Sequence, residues 1–556
     1  MYIKLLVMKK SILLLFFLIS ILSFGQKNYK ITYLKSSNGT LLENQDAVWV
    51  YSNEKQSYIS SEKIQSNVAE YPYEQTLISG LNYSLMARLD KNNVISSKDS
   101  TSIAKQNFEF IPETKKILGF NCKKAKTIIN SNTIEIWFTN DLEIKGSPTT
   151  LGQNLGLVLE INRNGNFIIA ATKIEKVKSF PELKIEKTKN LDILSYKDLL
   201  WKSRFTTISI FKDEIINFSD TTKSNDSILR FANGTIILRK VKFPLIAKGS
   251  QVFIDVSEQS NGDAYDRTGS VFIIPMDKKL SFLEGLKNGI KALPIYNNDN
   301  GKLYQGIVTT ENYSPLIELM RFFTPFGIKN YNHIQQKDKT WEEKVNYRQD
   351  LSELSTALNN KKIYIGTFIG NYDKGGHKVS VNITIHPEEN AKEKATFLLP
   401  LFNTTNVMEM AGQEYGTLFN SEKGLIVTFD LEKDIKNAKL RYISTGHGGW
   451  ENGDEFVPKK NTILLNRKEV FNFTPWRQDC GSYRLYNPAS GNFANGLSSS
   501  DYSRSNWCPG MITNPVYIDL GDLKAGNHTI QVKIPQGESE GTSFSSWNVS
   551  GVLIGE

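Results

Sequence analysis

Cysteine and histidine are scarce in this chain, and their scarcity removes whole classes of chemistry. Three cysteines, Cys122, Cys480 and Cys508, are spread over 556 residues. None sits in a C-x-x-C pair, so neither a dithiol redox centre nor a zinc knuckle is encoded. The five histidines (His333, His377, His386, His447 and His528) show no metal-ligand spacing, and there is no H-E-x-x-H helix or G-x-x-x-x-G-K-[ST] loop. Charge of one sign is not in great excess either. The formal net charge is +9, without a Lys/Arg stripe interleaved with aromatics, so nucleic-acid binding is not supported. Carboxylates and arginines are left as the chemical actors, and nothing calls for a metal or organic cofactor.

Long apolar runs are missing beyond the N-terminus. There, Lys9 and Lys10 precede a run from Ile12 to Leu22, and Ser23-Phe24-Gly25 precedes Gln26. A basic start, a short apolar core and small residues read as a secretory signal over 1–25; the run is short of the roughly 20 residues a membrane span needs. Met8 offers an alternative start. Taking the segment's three lysines from +9 leaves +6 for the mature chain, a solvated surface. The expected product is secreted or periplasmic, with no membrane contact after cleavage, and its oligomeric state is not encoded. Export permits disulfides, but three cysteines cannot all pair within one chain. Cys480 and Cys508 could close a loop, and Cys122 reads as a small buried hydrophobe.

A chain of this length suits three or four domains. Glycine outnumbers proline, 38 to 17, and β-branched and aromatic residues are plentiful, which favours strands. Val379, Val381, Ile383 and Ile385 alternate with polar residues, as do Ile530, Val532 and Ile534; that is the period of half-buried antiparallel strands. Helical periodicity is confined to short stretches around Pro315–Phe322 and Asp350–Leu358. Composition divides the rest into a β-rich block over 26–181, a charged linker over 182–204, and blocks over 205–391 and 392–556. The fold class is mainly β.

In the first block, Leu118–Ala125, Ile134–Thr139 and Gln153–Val158 occur in an order similar to the GLPGLI family of secreted β-proteins, which implies an accessory module. The later blocks carry a denser set of motifs. Ala264-Tyr265-Asp266-Arg267 lies between two strand-like runs. Arg321-Phe322-Phe323-Thr324-Pro325-Phe326 follows, and Gly453-Asp454-Glu455-Phe456 precedes Asn461–Asn466. Arg504-Ser505-Asn506-Trp507-Cys508-Pro509-Gly510-Met511 completes the series. Taken singly, an Asp-Arg pair is usually a surface ion pair, Asp454-Glu455 an acidic turn, and Trp507–Gly510 a tight corner. Together, in this order, they resemble the peptide-N-glycosidase F family over residues 205–556.

The resemblance implies two antiparallel eight-stranded jelly rolls lying side by side, with a site in the groove between them. It implies an amidase that cleaves between asparagine and the first N-acetylglucosamine of N-glycosylated proteins or glycopeptides. Asp266 is then the candidate base, Arg267 or Arg504 the oxyanion stabiliser, and Glu455 the residue that holds the sugar or the departing nitrogen. Tyr265 and Trp507, within the motifs, are expected substrate contacts. Cys480 and Cys508 match paired positions, which implies a disulfide beside Arg504.

Two departures stand out. Where the family has a further acid and a tryptophan, this chain reads Ile363-Tyr364-Ile365-Gly366-Thr367-Phe368-Ile369-Gly370. The acid falls on Gly366 or Gly370 and the tryptophan on Phe368 or Tyr372, leaving Asp373 as a substitute. The turn Thr445-Gly446-His447-Gly448-Gly449-Trp450 is also unlike the family, and makes His447 and Trp450 candidate sugar contacts. The missing acid raises a competing reading, a non-catalytic glycan-binding protein of the same fold. A third is an endoglycosidase using Asp266 and Glu455 as a carboxylate pair.

Overall fold

The computed structural model describes residues 27–181, 188–331, 338, 340–387, 396–448, 453–487, 498–538 and 544–556. The expected signal segment therefore lies outside the described residues, as does Trp450. The chain divides into two compact units, Met1–Arg204 and Phe205–Glu556.

The first unit is one large sheet. Antiparallel meanders run out on either side of the strand Asn28–Ser37, which pairs with Val48–Ser52 on one edge and Phe167–Val177 on the other. Alternation along Asn28–Ser37 buries Ile31 and Tyr33 completely, and they pack with Val50, Trp137, Leu157 and Cys122. Cys122 is a free, buried thiol. The stretch expected as a linker is in part structured and belongs here. Lys189–Asn190 pairs parallel to Val94–Asp99, and Ile193–Lys202 is a helix capped by Asp192. Its Tyr196 is fully buried against Leu85, Ala87 and Ile95, and its hydroxyl donates to Glu74 at 2.8 Å. Its charged residues Lys197, Asp198 and Lys202 lie on the exposed side of this one short helix, so the stretch read as non-periodic.

The second unit comprises two jelly rolls. In the first, Thr206–Ile216, His377–His386, Gln251–Ser260 and Val345–Asp350 form one sheet, with Val379, Val381 and Ile383 facing its core. The facing sheet runs Leu229–Phe231, Ile236–Lys242, Lys362–Ile369, Thr268–Ile274, Ile317–Phe323 and finally Ile512–Thr513, a short strand lent by the C-terminal half. The second roll pairs Phe397–Asn403, Ser546–Gly555, Ile435–His447 and Val516–Leu523 in one sheet. Leu425–Leu431, Gly526–Lys533, Asn461–Leu465 and Lys468–Phe473 form the other.

The seam between the rolls explains one failed expectation. Residues 315–322 are not helical; Ile317–Phe323 is a strand whose seven residues are all buried. With both faces covered, no period of two is visible in its sequence. A bulge opposite Val271 and Phe272 changes the parity of the strand and brings Glu318 and Arg321 together, three apart as if on a helix. Their ion pair is fully buried at 2.7 Å. Burial opposes the charge on Glu318, but Arg321 and the hydroxyls of Ser550 and Ser270 outweigh it and hold its carboxyl below the ordinary range. Arg321 also donates to Thr405, Thr445 and the Asn548 carbonyl of the second roll. Arg441 of that roll donates to the carbonyls of Glu318 and Leu319. A buried pair adds little net stability but demands its geometry, so this seam fixes how the rolls meet. The short helical turns Ser352–Leu354 and Ser355–Leu358 agree with the second helical expectation.

Candidate active site

Asp266 sits in the loop joining Gln251–Ser260 to Thr268–Ile274, and the Arg321–Phe326 motif holds that loop in place. Arg267 N–H donates to the Thr324 hydroxyl at 2.8 Å, and Thr324 N–H to the Arg267 carbonyl at 2.9 Å. Gly327 N–H donates to the Ala264 carbonyl at 3.0 Å. A Cβ on Gly327 would collide with the Asp263 carbonyl, so only glycine allows this approach.

Glu455 and Arg504 come from the second roll. Asp454 anchors the turn from below: its carboxylate accepts from Trp547 Nε1 at 2.7 Å and from Gly537 N–H at 3.0 Å. Ser505 ties the two segments together, its N–H donating to the Glu455 carbonyl at 2.9 Å. Arg504 exchanges backbone hydrogen bonds with Arg477, and the Cys480–Cys508 disulfide pins the same corner.

The three side chains converge on one atom. Arg504 Nη1 donates to Glu455 Oε1 and lies 3.4 Å from Asp266 Oδ2. Arg504 is 1% exposed, and its Nη2 donates to the Ser499 carbonyl and hydroxyl at 2.7 and 2.9 Å. Its guanidinium lies 4.3 Å from the Trp507 ring and 5.1 Å from that of Phe456. Burial raises the Asp266 pKa, opposed by Arg504 and Arg267. Burial also pushes Glu455 up to about 7; Arg504 opposes this, and the charge of Asp266 adds to it. Two carboxyls sharing one cation titrate as a pair, and burial raises both.

Arg267 is directed elsewhere. It makes a bidentate pair with Asp263, at 2.7 and 3.0 Å. Asp263 also receives His377 Nε2 at 3.2 Å, and His377 Nδ1 meets Glu258 at 2.7 Å. Burial opposes the charge on His377, but these two carboxylates outweigh it and raise its pKa to about 9. This buried chain of Glu258, His377, Asp263 and Arg267 props the Asp266 loop, and no motif spacing pointed to it.

A cavity of about 210 Å³ adjoins the triad and shares Asp266 with it; Arg267, Tyr372, Glu409 and His447 also line it. His447 is half-buried, with Nε2 2.7 Å from the Thr445 hydroxyl. Burial, aided by Arg321 and Arg504, lowers its pKa to about 3, so it is a neutral imidazole in the site. Tyr265 is 54% exposed and its ring lies 5.2 Å from the Arg267 guanidinium.

Two expectations need correction. Trp507 is 4% exposed, stacks on Phe323 at 4.4 Å and donates to the Gly446 carbonyl at 3.0 Å. It is a shelf beneath Arg504 and has no free face for a sugar. Asp373 does not replace the missing acid: its Oδ1 accepts from Gly375 and Gly376 N–H at 2.7 and 2.8 Å, closing a turn. Of the two placements for that acid, Gly366 is excluded, since a Cβ there would stand 2.5 Å from Phe272 and Leu238. Besides Asp266, the carboxylate that reaches the cavity is Glu409, in a Met-Glu-Met-Ala stretch with no sequence signal. Among the described residues, no group of three His, Cys, Asp or Glu side chains is placed to hold a metal ion.

Three family models match the chain: N-glycanase peptide, N-terminal domain, over residues 31–198; peptide-N-glycosidase F, N-terminal, over 207–385; and peptide-N-glycosidase F, C-terminal, over 414–554. The chain is similar to PNGF-II, solved in two crystal forms. Each is 55% identical, over 95% of this chain, with TM-scores of 0.88 and 0.92 and coverage of 98% and 99% of that protein. It is also 16% identical to PNGase F, a glycosylasparaginase from Flavobacterium meningosepticum, over 63% of this chain and 96% of that one, with a TM-score of 0.41. No curated protein matches.

Proposed function

The chain belongs to the peptide-N-glycosidase F family and is an N-glycanase, and on that premise we propose the bond it breaks and the residues that break it. The bond is the amide between an asparagine side chain and the first N-acetylglucosamine. The substrates are N-glycosylated proteins or glycopeptides met outside the cytoplasm.

Asp266 orients and deprotonates the attacking water, a general-base role worth roughly 100- to 10,000-fold. The water oxygen adds to the amide carbon, and the carbonyl oxygen gains negative charge. Arg504, fixed by Ser499, Trp507 and Glu455, is a cation that needs no reorganisation to meet that charge. The carbon–nitrogen bond then breaks. Glu455, its pKa pushed up to about 7 by burial, supplies the proton to the departing nitrogen, so the glycan leaves intact as a glycosylamine and aspartate remains on the peptide. Arg267, already committed to Asp263, positions the loop and lines the cavity. His447 is a neutral sugar contact and Tyr265 a rim contact.

The observation that carries this reading is the single guanidinium nitrogen, itself buried, set between two half-buried carboxylates from different rolls. Such a pair has no structural need to be half uncompensated at a seam, and it suits a site that needs one base and one acid. The test is hydrolysis of a glycopeptide in heavy-oxygen water. We expect an intact glycan and a peptide whose former asparagine is a singly labelled aspartate, and Asp266→Asn should lower the rate more than 1,000-fold. A peptide that keeps one N-acetylglucosamine would mean cleavage of a glycosidic bond and would sink the reading.

A further inference from the structure

The loop that follows Phe397–Asn403 carries Glu409 out of the second roll and onto the first. Val407 and Met408 are 1% and 2% exposed and pack in the first roll's cluster with Phe272 and Phe368. Thr405 accepts from Arg321 at 2.9 Å, and Gln413 holds the Met408 N–H at 3.0 Å. The loop is thus clamped on both sides of Glu409.

Its carboxylate enters the cavity that Asp266 lines. Oε1 accepts from the Tyr372 hydroxyl at 2.5 Å. Among the described residues, Oε2 has no hydrogen-bond partner, and it lies 3.8 Å from where a Cβ on Gly370 would project. The first roll's own strand therefore brings no acid to this wall. The Tyr372 ring also lies 5.5 Å from the Arg267 guanidinium. A cavity of about 210 Å³ has room for one pyranose ring. A free carboxylate oxygen and a tyrosine suit the hydroxyls and apolar face of a sugar.

Resting on the amidase reading above, we propose that Glu409 and Tyr372 form the subsite for the N-acetylglucosamine attached to the scissile amide, with Glu409 as its positioning carboxylate. Glu409 accepts from the sugar's hydroxyl or acetamido N–H, and the sugar so held carries its amide toward Asp266. Burial, opposed by Tyr372 and Arg267, raises the Glu409 pKa, as suits an acid that waits for a donor.

The full chain carrying Glu409→Ala, Glu409→Asp or Tyr372→Phe tests this with a glycopeptide substrate. Loss of a charged hydrogen bond to the sugar should raise KM about 10- to 100-fold for Glu409→Ala, with kcat reduced less, partial recovery in Glu409→Asp and an unchanged melting temperature. Binding of N,N′-diacetylchitobiose to Asp266→Asn should weaken by a similar factor when Glu409→Ala is added. KM and kcat both within twofold of wild type in Glu409→Ala would overturn the subsite while leaving the amidase intact. A wild-type chain that fails to cleave, yet binds the disaccharide through Glu409, would overturn the amidase and leave the subsite standing.

Discussion

Arg504→Ala removes the one ion-pair partner that Asp266 and Glu455 have among the described residues. Stripping one side from a buried pair costs roughly 3–5 kcal/mol. Glu455 recovers part of this by taking a proton, because its pKa already stands near 7; each further unit of upward shift corresponds to about 1.4 kcal/mol. Both acids have folded pKa values above their unfolded ones. Their unfavourable contribution is therefore absent below the unfolded values and grows as the pH rises through the folded ones. The variant should lose about 3 kcal/mol at pH 8 and about 1 kcal/mol at pH 5. Its kcat/KM should fall at least 1,000-fold, since one lost oxyanion donor alone costs roughly 100- to 1,000-fold and the charge on Asp266 loses its support. Arg504→Lys should recover little, because an ammonium cannot bond Ser499 and both acids in one plane. Urea unfolding followed by tryptophan fluorescence at the two pH values, with labelled-aspartate release at pH 7, measures both effects. Destabilisation equal at pH 5 and pH 8, or kcat/KM within threefold of wild type, would refute the reasoning.

If Glu455 is the proton donor, kcat/KM should fall as the pH rises past about 7, and Glu455→Gln should lower the plateau about 100-fold and abolish that fall; a pH–rate profile from 5 to 9 decides. His377 carries a pKa raised to about 9, so its contribution is whole below about 6.5 and is lost as the pH rises through 9. Thermal stability should drop by roughly 3 kcal/mol over that window, and His377→Asn should flatten the slope in melts at stepped pH. Opening the Cys480–Cys508 bridge, which closes a 28-residue separation, should cost about 3–4 kcal/mol in the chain-entropy account. The Cys480→Ser, Cys508→Ser double variant should melt lower and lose activity below that melting point, because Arg504 lies on the pinned corner.

Much of this protein was legible in one dimension. The alternation of Val379, Val381 and Ile383 gave a strand because a pleated chain with one wet face must alternate. Asp266, Glu455 and Arg504 stood out through their motifs, and the structure sets them on a shared nitrogen. Local pattern failed where burial is two-sided or where a partner comes from far along the chain. Ile317–Phe323 read as helical because both of its faces are covered and a bulge mimics a three-residue spacing. Trp507 read as a sugar contact, although Arg504 and Phe323 occupy its two faces. Asp373 read as a spare acid, although its turn consumes it. Glu409 gave no signal at all, since its value lies in where the second roll's loop meets the first.

Sequence alone thus indicated the alternating strands, the family and the charged residues of its motifs, because those depend on side-chain type and near-neighbour spacing. Tertiary structure decided which acid faces which cation, which aromatic is a shelf, and which distant carboxylate enters the cavity. Those outcomes depend on desolvation and on distances across a seam. Both are properties of two rolls packed together, and neither roll's sequence contains them.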